Sequence, residues 1–185
     1  MAPKELHVIG VDPGGTTGWA RMTVPRACFY GTQESEILEW EYGELTGPEP
    51  AQVTQLTRYA REVQSLAYRV GPALVVEDFD VGAVVTTDTG VLYSPVRIAA
   101  MLAYAEHRHE LNDGRVVLQS RALAKQTVTD DRLKNVWGMW VEGSDHIRDA
   151  TRHAITALRR AKEKPAFRDQ LWADPNGSAT YRTGS

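Results

Sequence analysis

The stretch His7-Val8-Ile9-Gly10-Val11-Asp12-Pro13-Gly14-Gly15-Thr16-Thr17-Gly18-Trp19-Ala20 constrains this 185-residue chain more than any other. Val8, Ile9 and Val11 predict a short buried strand, because β-branched side chains fit a covered, pleated surface. Pro13-Gly14-Gly15 stops that strand, since proline donates no hydrogen bond to a ladder and glycine permits a tight turn. Asp12 therefore falls at the strand's carboxyl end. In an α/β sheet that end opens onto the ligand crevice, so an acid there is presented to a ligand and not to the core. The bland alternative is a hairpin turn in which Asp12 binds only local amides. The placement of later acids favours the first reading.

A chain of this length can bury a sizeable core as one domain without disulfides, and the single Cys28 cannot form an internal bridge. No Cys/His spacing suggests a structural zinc site. The first residues lack the charged and then apolar run of a signal peptide, and no later run approaches a membrane span. A soluble cytoplasmic protein with no membrane partner is expected. The formal net charge of −3 argues weakly against a nucleic-acid partner when taken as an average. That average conceals an asymmetry. Glu34, Glu36, Glu39, Glu41, Glu44 and Glu49 crowd the first third, whereas Arg148, Arg152, Arg159, Arg160, Lys162, Lys164 and Arg168 crowd the last.

Segments around Trp19 to Met22 and Ile37 to Leu45 read as extended, the second by strict alternation, and complete an antiparallel meander with the first strand. Val53 to Val70 carries apolar residues at helical spacing and ends at Gly71-Pro72. Ala73-Leu74-Val75-Val76-Glu77-Asp78-Phe79 is a continuous apolar run closed by acids, as suits a parallel strand covered on both faces. Glu77 thus occupies the same kind of strand end as Asp12. Asp80 to Tyr93 reads as a functional loop or mobile hairpin, and Ser94-Pro95 as the cap and first residue of a helix continuing over Val96 to Leu111. Arg115 to Gln119 is a further strand, followed by short helices at Ser120 to Thr127 and Asp130 to Trp140. The last long helix is capped by Ser144 or Asp145 and runs to about Lys164. Its buried stripe is Ile147, Ala150, Ala154, Leu158 and Ala161, while His146, Asp149 and His153 line one side near its start. A domain over 1–165 with a tail over 166–185, docked or loose, follows, in which Trp172 is the largest apolar residue.

This order of elements, with acids at two strand ends and at the start of the terminal helix, resembles the RNase H-like fold, an α/β architecture with a mixed central sheet and helices on both faces. The resemblance is closest to the RuvC family of Holliday-junction resolvases and the RuvC-like proteins of bacteriophages. Ile9-Gly10-Val11-Asp12-Pro13-Gly14 with Thr17-Gly18 resembles the strand bearing the family's catalytic aspartate, and Val75-Val76-Glu77 resembles the strand bearing its glutamate. His146-Ile147-Arg148-Asp149-Ala150 with Ala154-Ile155 resembles the terminal-helix motif, and Ala124-Lys125-Gln126-Thr127-Val128 the basic segment before it. The resemblance implies Asp12, Glu77, His146 and Asp149 as catalytic and metal-binding residues and Lys125 as a phosphate contact. It also implies two Mg²⁺ or Mn²⁺ ions per site, branched DNA as partner and a homodimer. The sequence departs from the family where Asp78 and Asp80 flank Phe79, the residue nearest the position of an aromatic DNA wedge.

Such chemistry has a physical basis in these residue types. Phosphodiester hydrolysis needs an activated water and relief of charge on the leaving oxygen, and a pair of hard cations caged by carboxylates supplies both. His146 is a poorer Mg²⁺ ligand than a carboxylate, so it is expected to orient water, touch phosphate or bind one ion. Arg148, Arg152 and Lys125 are expected to hold flanking phosphates. Competing readings are a zinc site of His146, Asp149 and His153, a helix face whose acids only complement the dipole, a silent branched-DNA binder, and a relative of actin-like ATPases. The ATPase reading requires a second RNase H-like half, for which the chain has no room. Flap or fork cutting is the alternative within the nuclease reading.

Overall fold

The computed structural model describes residues 5–30, 37–66, 70–79, 89–111 and 113–172. Five strands form one mixed sheet: β1 (Glu5–Asp12), β2 (Thr16–Pro25), β3 (Glu39–Thr46), β4 (Ala73–Asp78) and β5 (Arg115–Ser120), in the order β3-β2-β1-β4-β5. The first three strands are the expected antiparallel meander, and β4 and β5 add in parallel to β1. Six helices complete the described chain: α1 (Ala27–Tyr30), α2 (Glu49–Leu66), α3 (Thr89–His107), α4 (Arg121–Thr127), α5 (Asp145–Glu163) and α6 (Pro165–Leu171). Among the described residues, no helix is long and apolar enough to cross a membrane.

Strand alternation divides the core in two. Val8 and Val75 point to one face, where Ala154, Ile155, Ala157, Leu158 and Ala161 of α5 cover them. Ile9, Val11, Leu74 and Val76 point to the other, under Leu56 and Ala60 of α2 and Ile98 and Leu102 of α3. The near-continuous apolar runs of β1 and β4 are thus explained, because both of their faces are covered. Each large aliphatic side chain so enclosed contributes roughly 1.5–3 kcal/mol relative to exposure.

Three expectations need correction. Ser94-Pro95 does not start a helix: α3 already begins at Thr89 and carries Pro95 inside it. Proline lacks one donor wherever it stands, so a cap-then-proline pair does not by itself mark a helix start. Asp130 to Trp140 is helical only as far as Val136, with a π-helical turn over Arg132–Val136 closed by the Trp137 amide on the Arg132 carbonyl and followed by Gly138 at φ 64°. Of the tail expected to be docked or loose, the part up to Trp172 is docked. Phe167, Leu171 and Trp172 are buried in the core under α5, and the Trp172 indole donates to the His7 carbonyl at 3.0 Å. Asp80 to Tyr93 is not all loop: residues 89–93 belong to α3, while residues 80–88 and those beyond Trp172 lie outside the described residues.

Candidate active site

The carboxyl ends of β1 and β4 lie side by side. Val11 pairs with Val76, so the next residues, Asp12 at the end of β1 and Glu77 one residue before the end of β4, lie side by side on the face that α5 covers. The turn after Asp12 is fastened by polar contacts. Thr17 Oγ1 accepts from the Gly14 amide at 3.2 Å, and the buried Gln52 of α2 donates to the Gly15 and Gly47 carbonyls at 3.3 and 2.7 Å.

Two glycines bring α5 onto this corner. A Cβ at Gly10 would overlap the Ala150 carbonyl, and one at Gly18 would overlap the His146 carbonyl. Bare backbone at both positions therefore lets the first turns of α5 lie directly on β1 and β2. Ser144 caps the helix, accepting from the Ile147 amide at 3.0 Å, and its hydroxyl donates to Glu44 of β3. Asp145 is not the cap: it is exposed and pairs with Arg148 one turn later. With this end of α5 fixed, His146 and Asp149 project toward the two strand ends.

Each acid has a distinct charge environment. Asp12 Oδ2 meets His146 Nδ1 at 2.7 Å. Burial raises the Asp12 pKa, and the neighbouring charges of Glu77 and Asp149 add to that, outweighing the bond from His146. The hydrogen bond to Asp12 in turn raises the His146 pKa against its own partial burial. Asp149 is buried, which alone would raise its pKa, but Lys125, Arg152 and Arg121 together hold it below the usual carboxylate range. Arg152 binds Asp149 Oδ1, while Arg121 Nη2 and Lys125 Nζ each reach Oδ2 at 3.1 Å. Arg121 also stands 3.9 Å from Glu77, and its pKa is raised by Glu77 and Asp149 although desolvation opposes this.

Glu77 is held from behind by a directed chain of hydrogen bonds. Gln119, its neighbour on β5, donates its amide NH₂ to His153 Nδ1 at 3.0 Å and to the His153 carbonyl at 3.2 Å. An accepting Nδ1 places the ring proton on Nε2, which then donates to Glu77 Oε2 at 3.2 Å. Arg160 completes the chain with a 3.5 Å bond to Gln119 Oε1, which sets the orientation of the amide.

The structure therefore brings together Asp12, Glu77, His146, Asp149 and Lys125. Two of the expected phosphate contacts are placed otherwise. Arg152 is buried, with its guanidinium committed to Asp149, Asp130 and the Val128 carbonyl. Arg148 lies over the Trp140 ring at 4.4 Å and donates to the Val141 carbonyl, bracing the segment that enters α5. Phe79 stands just past β4, half-buried. The alternative zinc trio does not form, because His153 is buried behind Glu77. Sequence reasoning missed Arg121, Gln119 and the role of His153; of these, only His153 carried a local signal, its one-turn spacing from Asp149.

Three carboxylates are the donor type a hard divalent cation takes, with the imidazole a poorer donor beside them. Burying Asp12 beside two further acids, with one imidazole as its partner, leaves negative charge there that a cation would relieve. Among the described residues, no group of three or more His, Cys, Asp and Glu closes to metal-ligand spacing, and both Asp149 oxygens are taken by basic side chains. The donor set fits, and Arg121 and Lys125 are the exposed groups that would have to turn away for Asp149 to join it.

The comparisons with known proteins agree with this architecture. No protein-family model matches the sequence, and no curated protein gives a significant match. The solved structures do: the chain has the RNase H-like fold, and its elements superpose on RuvC. Thermus thermophilus RuvC matches with a TM-score of 0.56 and 18% identity over 85% of this chain and 96% of that one. The T. thermophilus RuvC structure in complex with a Holliday-junction substrate matches with a TM-score of 0.55 and 18% identity, covering 86% and 96%.

Proposed function

We propose that the chain is a metal-dependent endonuclease of branched DNA that hydrolyses phosphodiester bonds as a Holliday-junction resolvase. One observation carries this reading: Asp12 and Glu77 lie at the carboxyl ends of adjacent parallel strands, and a helix seated on two bare glycines brings His146 and Asp149 to the same corner. The RuvC structure that shares this fold is recorded with a Holliday-junction substrate, which supports four-way DNA as the substrate here.

Asp12, Glu77 and Asp149 would hold divalent ions, Mg²⁺ or Mn²⁺ and two per site, which when bound supply an activated water and a sink for charge on the leaving oxygen. The chain's own residues then have separate tasks. Asp12 and the ion-paired His146 form one wall, and protonated His146 has its Nε2 proton available for a phosphate oxygen. Glu77 is kept in one rotamer by His153, so that strand end is preorganised. Arg121 and Lys125 are exposed and bound to Asp149, and are the groups that would transfer to phosphates flanking the cut. Exposed Tyr93, Val96 and Tyr104 on α3 support a homodimer that sets two sites across one junction.

The test is incubation with labelled four-way junction, flap, fork and linear duplex, each with Mg²⁺, Mn²⁺ or EDTA. Paired symmetric nicks near the junction centre that vanish in EDTA are expected. Preferential cutting of flaps or forks would keep the nuclease and reassign its substrate, and absence of cutting on every substrate would refute the reading.

A further inference from the structure

A depression of about 370 Å³ lies beside the carboxyl-terminal half of α5, lined by Arg132, Arg159, Arg160, Lys164, Glu163 and Thr127. Four cations surround one carboxylate. None of the four forms an ion pair among the described residues, in contrast to Arg121, Lys125, Arg148 and Arg152 around the acidic corner. The three guanidiniums among them are nonetheless positioned. Arg132 and Arg159 both donate to the Thr127 carbonyl, at 3.0 and 3.4 Å, and Arg160 lies over the Phe167 ring at 3.9 Å.

Two like charges brought to one neutral oxygen repel each other unless an anion joins them. The helix dipole favours basic residues at the end of α5, but Arg132 comes from the π turn, outside that helix. Each guanidinium has donors left over after these bonds, since five N–H groups serve one or two acceptors. Anchored arginines lose little further side-chain entropy on binding, so they suit planar, bidentate capture of phosphate oxygens.

We propose that this depression is a second phosphate-binding site, which grips the backbone of a duplex arm flanking the cut. Its reach follows from the helix. Arg159 to Lys164 lie ten to fifteen residues beyond Asp149, about 15 to 22 Å along α5 at 1.5 Å per residue. At 3.4 Å per base pair that corresponds to about four to seven base pairs from the acidic corner. Arg121, Lys125 and Thr127 on α4 connect the two regions along one side of α5. The choice of DNA as ligand rests on the nuclease reading, while the anion site rests on the depression itself.

The test is fluorescence anisotropy of a labelled four-way junction in EDTA, where binding is read without cutting, over a range of salt concentrations. Arg132→Gln combined with Arg159→Gln should lower the slope of log affinity against log salt by about two, and the corresponding Lys pair should restore it. Glu163→Gln should tighten binding, a gain that damage to folding cannot mimic. At saturating DNA all these variants should keep the cutting activity of the wild type. An unchanged slope in the Gln pair, with wild-type protein binding normally, would overturn the second site and leave the nuclease reading intact. A wild-type protein that binds no DNA would overturn both.

Discussion

The two halves of α5 differ in how their charges are met. Near its start, His146, Asp149 and Arg152 all have partners inside the protein, and Asp149 alone engages three cations. Near its end, Arg159, Arg160 and Lys164 have no carboxylate partner among the described residues. A helix dipole favours acids first and bases last at a few tenths to one kcal/mol each, so charge order alone says little. Burial separates the halves. Removing Asp149 from water costs several kcal/mol unless cations compensate, and three do, whereas the cations of the second half keep donors free for something outside the chain.

The comparison can be broken most forcefully at the acidic half. Glu77→Gln should reduce cutting at least about a hundredfold, since it removes a preorganised charge from the reacting centre; initial-rate nicking assays would measure this. Equal rates would mean that the strand-end acids are not catalytic.

Gly18→Ala and Gly10→Ala should each destabilise the fold by roughly 1–3 kcal/mol or more, because the added methyl meets α5 backbone that cannot swing aside. Urea unfolding reads the loss, and wild-type stability in both variants would show that α5 is not seated on these strands. His153→Leu should cost about 1–3 kcal/mol by leaving buried Glu77 without its imidazole donor. The same substitution should lower cutting less than Glu77→Gln does, since His153 positions the acid without touching substrate.

A pH-dependent effect concerns His7, which lies on neither half of the comparison. Burial first, then the Arg21 charge, lowers its pKa from 6.5 to about 4, against a smaller opposing pull from Glu39. The neutral ring favours folding fully above pH 6.5. As pH falls from 6.5 toward 4 the unfolded chain takes up a proton that the folded chain refuses, so stability declines across that window. His7→Asn should flatten the decline in melting temperature between pH 6.5 and 4, and an unchanged slope would show that other groups carry it.

The parts that were legible in the sequence are local. A β-branched run ended by an acid and a turn marks Asp12 and Glu77, and Ser144 before an apolar stripe marks α5, because each depends on residues adjacent in sequence. Gly10 and Gly18 were visible only as part of a motif, since their purpose is to receive a helix that begins more than a hundred residues later. Arg121 gave no signal, being one arginine beside a strand end, and its importance lies in reaching Glu77 and Asp149 at once. Arg148 and Arg152 misled for a related reason. Basic residues next to a candidate catalytic motif suggest phosphate contacts, but burial turns Arg152 inward to neutralise Asp149. Trp172 docks through one indole hydrogen bond and an apolar seat, neither of which composition reveals.

The most direct test of the acidic corner is junction cutting by Asp12→Asn beside the wild type, with binding and melting temperature measured on the same preparations. Asp12 is a buried acid with a raised pKa, so its neutral replacement should fold at least as well, bind the junction comparably and cut at background rate. Wild-type cutting by Asp12→Asn in Mg²⁺ would contradict the assignment of this corner as the active site.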